Sequence, residues 1–108
     1  MSRHRELSPA TREALTLFAA RVRVSRRERR LRAPEVAERV GVSLTTIRKV
    51  ERGNPTVALG TAFEVATILG VALYGEDRQR RRLEAEYLTS RLALLPDAVR
   101  HPEVDDDF

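Results

Sequence analysis

The sequence contains no cysteine, which excludes disulfides, thiolate zinc sites and a cysteine nucleophile together and suits a reducing cytosol. Its two histidines, His4 and His101, stand near opposite ends and read as solvated side chains rather than as ligands. No run of about eighteen apolar residues occurs, so no membrane span is expected. The opening Met1-Ser2-Arg3-His4-Arg5-Glu6 also lacks the apolar stretch of a secretory signal. An enzyme would need a nucleophile beside a base, convergent carboxylates or a metal set. None stands out, so no catalytic activity, cofactor or metal is expected, and the expectation is a soluble cytoplasmic protein. With 108 residues, the chain is long enough for one compact domain with tails.

What the sequence has instead is an uneven distribution of charge. Fourteen basic and six acidic residues fall up to Gly53, a balance of +8, whereas six basic and ten acidic residues follow, a balance of −4. The first half is suited to a polyanion and the closing residues to something basic. All but one of the twenty Lys and Arg residues are arginine, the side chain that makes bidentate contacts to phosphates and base edges. A GC-rich genome would produce the same preference.

The apolar spacing is helical throughout. Ser8-Pro9 is a helix start, and Leu15, Phe18 and Val22 continue it to about Arg30. That helix also carries Arg21, Arg23, Arg26, Arg27, Arg29 and Arg30, which read as phosphate contacts or as a solvated face. A short second helix follows from Pro34, with Val36, Ala37 and Val40 as its apolar face and Gly41 as a left-handed cap. Ser43 can cap a third helix, in which Ile47 and Val50 turn inward while Leu44, Thr45, Arg48 and Lys49 face away. A fourth is predicted from about Leu59 to Leu69. From Glu76 to Leu95 no breaker intervenes, and Leu83, Tyr87, Leu88, Leu92 and Leu95 form an apolar stripe. Such a stripe either packs on the domain or meets a partner. Pro96 to Phe108 is acidic, has little to bury and reads as a flexible tail.

Two short helices around a glycine-containing turn, in a basic setting, can present one helix to a major groove while the other braces it. The run Pro34-Glu35-Val36-Ala37-Glu38-Arg39-Val40-Gly41-Val42-Ser43-Leu44-Thr45-Thr46-Ile47-Arg48-Lys49-Val50-Glu51-Arg52-Gly53 closely resembles the Cro/C1-type (Xre) helix-turn-helix signature. With Phe63 to Val71 added, the resemblance covers about residues 18 to 72. It implies an all-α, five-helix lambda-repressor-like DNA-binding domain at 9–75 after a flexible N-terminus at 1–8. A C-terminal helix at 76–95 and an acidic tail at 96–108 would follow. It further implies that Leu44, Thr45, Arg48 and Lys49 read bases, that Arg32, Thr46, Arg52 and Asn54 meet phosphates, and that Arg26 pairs with Glu51. Double-stranded DNA with a palindromic operator, bound by a homodimer, is the implied target. The sequence departs from the family where Ser or Thr followed by Gln usually opens the second helix, since Arg32 and Ala33 stand there.

The segment Asn54-Pro55-Thr56-Val57-Ala58-Leu59-Gly60-Thr61, the later Leu94-Leu95-Pro96 with Arg100, and the closing Val104-Asp105-Asp106-Asp107-Phe108 resemble antitoxins of the HipB type. Those are dimeric repressors that bind and restrain a HipA-like kinase toxin. On that resemblance Leu83, Tyr87, Leu92 and Phe108 are the expected partner contacts. The acidic tail then serves either as a handle for the toxin or as a phosphate mimic folded over the chain's own arginines. A stand-alone regulator and an interaction module with a degenerate motif are the competing readings.

Overall fold

The computed structural model describes residues 6–97. Five helices follow in order: α1 (Pro9–Glu28), α2 (Ala33–Val40), α3 (Leu44–Glu51), α4 (Leu59–Ile68) and α5 (Arg78–Leu94). Among the described residues there is no strand, so the fold is all-α. The contacts divide into two compact units, one ending at Leu73 and holding α1 to α4, the other beginning at Tyr74 and holding α5.

In the first unit, Val22 of α1, Val36 of α2, Ile47 of α3 and Val65 of α4 are fully buried together with Leu69 just beyond α4. Each helix therefore supplies its own apolar stripe to one shared core, and α2 packs on both α3 and α4 while α1 packs on α3. Phe18, Leu31, Val40, Val42, Leu44, Val57 and Val71 close over that core, half-buried. Burying these branched aliphatic side chains, at about 25 cal/mol per Å², is what holds helices of eight to ten residues, too short to persist alone, in place.

The helix ends explain where each element stops. Ser8 Oγ accepts the Thr11 N–H at 3.3 Å at the start of α1. The predicted end near Arg30 comes earlier, at Glu28, because Arg30 adopts a left-handed φ of 58°. The Leu31 N–H then reaches back to the Arg26 carbonyl at 3.1 Å and the Arg30 N–H to Arg27 at 3.0 Å, the double closure that usually has glycine at its left-handed residue. Before α2 the Glu35 carboxylate accepts the Arg32 N–H at 2.7 Å, and Gly41, with φ of 87°, ends the helix as expected. The start of α5 is two residues later than the apolar pattern placed it. Asp77 caps it, its Oδ1 accepting the Gln79 N–H at 2.9 Å, so Glu76 lies outside the helix.

Candidate nucleic-acid interface

Helix α3 is set by its two ends. At its start Ser43 Oγ accepts the Thr46 N–H at 3.1 Å and lies 3.0 Å from Thr46 Oγ1, which satisfies a donor that an open helix N-terminus leaves free. At its other end α1 takes hold of Glu51. Arg26 Nε donates to Glu51 Oε2 at 2.5 Å and Arg26 Nη2 to Oε1 at 3.1 Å, a bidentate pair whose side chains are only 14% and 9% exposed. Arg26 Nη1 also donates to the Leu31 carbonyl at 3.0 Å, beyond the end of α1. Arg23 Nη1 donates to the Glu51 backbone carbonyl. Two guanidinium groups thus meet the last residue of α3, where unsatisfied carbonyls make the helix terminus electronegative. With Ile47 and Val50 buried between those ends, α3 is fixed in both tilt and rotation.

Rotation decides which side chains α3 can offer. Thr45 and Arg48 are exposed and Lys49 is half-buried. Leu44 is half-buried against the core, leaving only part of its surface for a thymine methyl. The Thr46 hydroxyl is engaged with Ser43. Arg52 caps α3 and is exposed. Asn54 spends its carbonyl oxygen on the loop, accepting from the Thr56 N–H at 2.8 Å and the Thr56 hydroxyl at 2.6 Å. Its side-chain amide retains donors but no longer an uncommitted acceptor. Arg32 is exposed at the N-cap of α2. Ala33, standing where the family pattern has a DNA-contacting glutamine, is only 6% exposed and joins the core, so that position contributes packing.

The arginine run of α1 divides in two. Arg23 and Arg26 serve Glu51, and Arg29 Nε donates to the Leu69 carbonyl at 2.7 Å, a carbonyl that Ser25 Oγ also caps. Arg21, Arg27 and Arg30 remain exposed. Half of the run that reads as phosphate-binding or solvated is thus committed to fastening α1 to the ends of α3 and α4. The sequence carried a signal for this, because Arg23, Arg26 and Arg29 recur every third residue and so share one face of α1. That spacing does not identify their partners, and Ser25 had no signal at all, since the carbonyl it shares with Arg29 is forty or more positions away and no side-chain pattern marks it.

The partner positions expected in the second unit are placed differently. Leu83, Tyr87 and Leu92 lie on α5, exposed, and α5 buries none of its residues. Phe108 and the acidic positions from 103 onward lie outside the described residues.

Residues 17–83 match a family model described as a helix-turn-helix domain. That is well over half of the chain, which therefore belongs to the helix-turn-helix domain family, whose members are typically DNA-binding regulators rather than enzymes. The match runs from α1 into the first residues of α5. No curated protein and no solved structure matches the chain. Among the described residues no helix is long and apolar enough to cross a membrane.

Proposed function

We propose that the protein is a sequence-specific, dimeric transcriptional repressor that reads a palindromic operator through α3 and acts as the antitoxin of a HipBA-like pair, restraining a kinase toxin in the cytoplasm. The observation that carries the DNA-binding part is the clamped reading helix. The eight-residue helix is capped at its start by Ser43 and held at its end by α1, and it turns Thr45 and Arg48 outward; a helix with its side chains, about 10–12 Å across, fits a major groove about 12 Å wide. In this reading Lys49 and Arg48 donate to guanine O6 or N7, Thr45 bonds either base type, and Leu44 touches a thymine methyl with its exposed part. Arg32, Thr46, Arg52 and the Asn54 amide meet phosphates and set the register. Domain 9–75 carries the DNA contacts, and 76–95 with the tail carries the protein contacts.

The antitoxin assignment rests on the resemblance of the Asn54–Thr61 segment and the C-terminal segments to the HipB type. The test has two arms. Operator selection from random duplexes at moderate salt is expected to return a palindrome with half-sites about one helical turn apart. The antitoxin reading expects a kinase-like reading frame beside the gene, and co-expression with its product is expected to relieve that product's toxicity. Selection of a palindrome without rescue would leave a stand-alone regulator. Equal affinity for all duplexes would refute base reading by α3, which the burial of Ala33 in place of a backbone-contacting glutamine makes the more pointed question.

A further inference from the structure

A hollow of about 350 Å³ lies within the first unit, behind the end of α3. Leu15 and Phe18 of α1, Val50 of α3, Val57 of the following loop, and Ala62 and Phe63 of α4 supply its apolar walls. Three helices and a loop thus surround it, whereas the hollows on the outer side of α1 are lined by that helix alone or with only Val71 and Ala72 added. Protein interiors carry few voids larger than a water molecule, so an apolar space of this size beside the core is an exception. Two small residues keep it open. A Cβ at Gly53 would lie 3.0 Å from the Leu15 carbonyl oxygen, so no larger side chain can fill the space from that side, and Ala62 offers only a methyl group.

The walls define the chemistry of an occupant. An apolar cavity of about 150 Å³ is enough to take benzene, so this one suits a substituted ring or a hydrocarbon body of similar bulk. One polar side chain also lines it, that of Asn54. Both lone pairs of the Asn54 side-chain oxygen are taken by the Thr56 N–H and hydroxyl, so toward a ligand this amide can only donate. Among the described residues that line the hollow none is charged, and an ionised ligand would be desolvated there without a partner. The matching molecule is therefore small, apolar and uncharged, and carries one hydrogen-bond acceptor.

We infer that this hollow is an effector site for a ligand of that class, and that filling it weakens DNA binding. The effect on DNA rests on the contact reading given above, in which Arg52 and the Asn54 amide meet phosphates. Those two residues flank Gly53, which with Asn54 forms part of the wall. A ligand acceptor bonded to the Asn54 amide holds that donor away from phosphate, while the ligand body bears on Val50 and Gly53 at the end of α3. Because such coupling is reciprocal, DNA must weaken ligand binding by the same factor.

The experiment uses the full chain and two probes, acetophenone, a ring bearing a carbonyl acceptor, and ethylbenzene, which has nearly the same shape without one. Acetophenone is expected to produce saturable amide shifts in nuclear magnetic resonance spectra at Gly53, Val57, Ala62 and Phe63, with Kd of about 1 mM or lower. Asn54→Asp keeps an oxygen for Thr56 but removes the amide donor, and is expected to weaken acetophenone about fivefold more than ethylbenzene. Ala62→Leu fills the hollow and is expected to weaken both probes about tenfold or more; Ala62→Val, a smaller change, replaces it if the amide spectrum of the leucine variant shows unfolding. Bound acetophenone is expected to raise the operator dissociation constant about threefold or more in wild type and to leave it unchanged in the Ala62 variant. No saturable shift up to about 5 mM, shifts that survive the Ala62 change, equal losses of both probes in Asn54→Asp, or an operator affinity indifferent to bound acetophenone would each overturn the inference. Failure of operator selection with saturable probe binding intact would instead count against the DNA-binding reading, and the ligand site would stand.

Discussion

Removing either member of the Arg26–Glu51 pair should come close to unfolding the first unit, and removing both should not. Glu51 is 8% exposed and Arg26 contributes three hydrogen bonds, two to the carboxylate and one to the Leu31 carbonyl. Loss of one partner leaves a largely buried charge uncompensated, which costs about 3–5 kcal/mol. A unit of this size is stable by only about 4–10 kcal/mol at 0.05–0.15 kcal/mol per residue. Arg26→Met and Glu51→Leu are each expected to lower Tm by roughly 15 °C or more, at about 4–8 °C per kcal/mol. The chain carrying both should recover most of the loss, because replacing a buried ion pair by apolar groups of similar volume is often neutral. Urea unfolding followed by circular dichroism measures this, with the midpoint shifting and the slope unchanged. Single costs below about 1 kcal/mol that simply add in the double variant would show that the pair does not hold α3.

Three further expectations follow from the same geometry. Lys49→Ala should weaken operator binding by about 1–3 kcal/mol and relax base preference at one position, whereas Arg52→Ala should weaken all duplexes alike and reduce the salt slope by about one; fluorescence anisotropy over a salt series separates them. Arg30→Gly should stabilise the protein by about 1 kcal/mol, since φ of 58° strains an L-residue but not glycine, and a melting temperature that does not rise would contradict the assigned end of α1. Gly53→Ala should cost more than Gly41→Ala in urea unfolding: both have positive φ, but a Cβ at Gly53 would lie 3.0 Å from the Leu15 carbonyl oxygen while at Gly41 it meets nothing within 4 Å.

Much of the fold was readable because helices declare themselves locally. Ser8, Ser43 and Gly41 act through atoms within a few residues, and Leu15, Phe18 and Val22 in α1 and Val36, Ala37 and Val40 in α2 follow helical spacing, so order and approximate bounds of the elements follow from neighbours in the chain. The ends that shifted did so where an unusual residue took a terminal role: Arg30 in a conformation glycine normally fills, and Asp77 competing successfully with the apolar pattern at Glu76. The pairing of Arg26 with Glu51 could be stated beforehand only through family resemblance, since 25 residues separate them.

The sequence by itself determined the all-α class, the short α2–turn–α3 arrangement and the basic character of the first half, because periodicity, caps and charge are properties of local composition. Only the tertiary structure decided how that charge is used. The crossing of α1 with the ends of α3 and α4 committed Arg23, Arg26 and Arg29 to carbonyls and a carboxylate, left Arg21, Arg27 and Arg30 exposed, and the fold drew Ala33 into the core and engaged the Asn54 oxygen within its own loop. The reason is physical: a buried backbone carbonyl must find a donor, and which arginine supplies it depends on where the helices cross, not on the order of residues along any one of them.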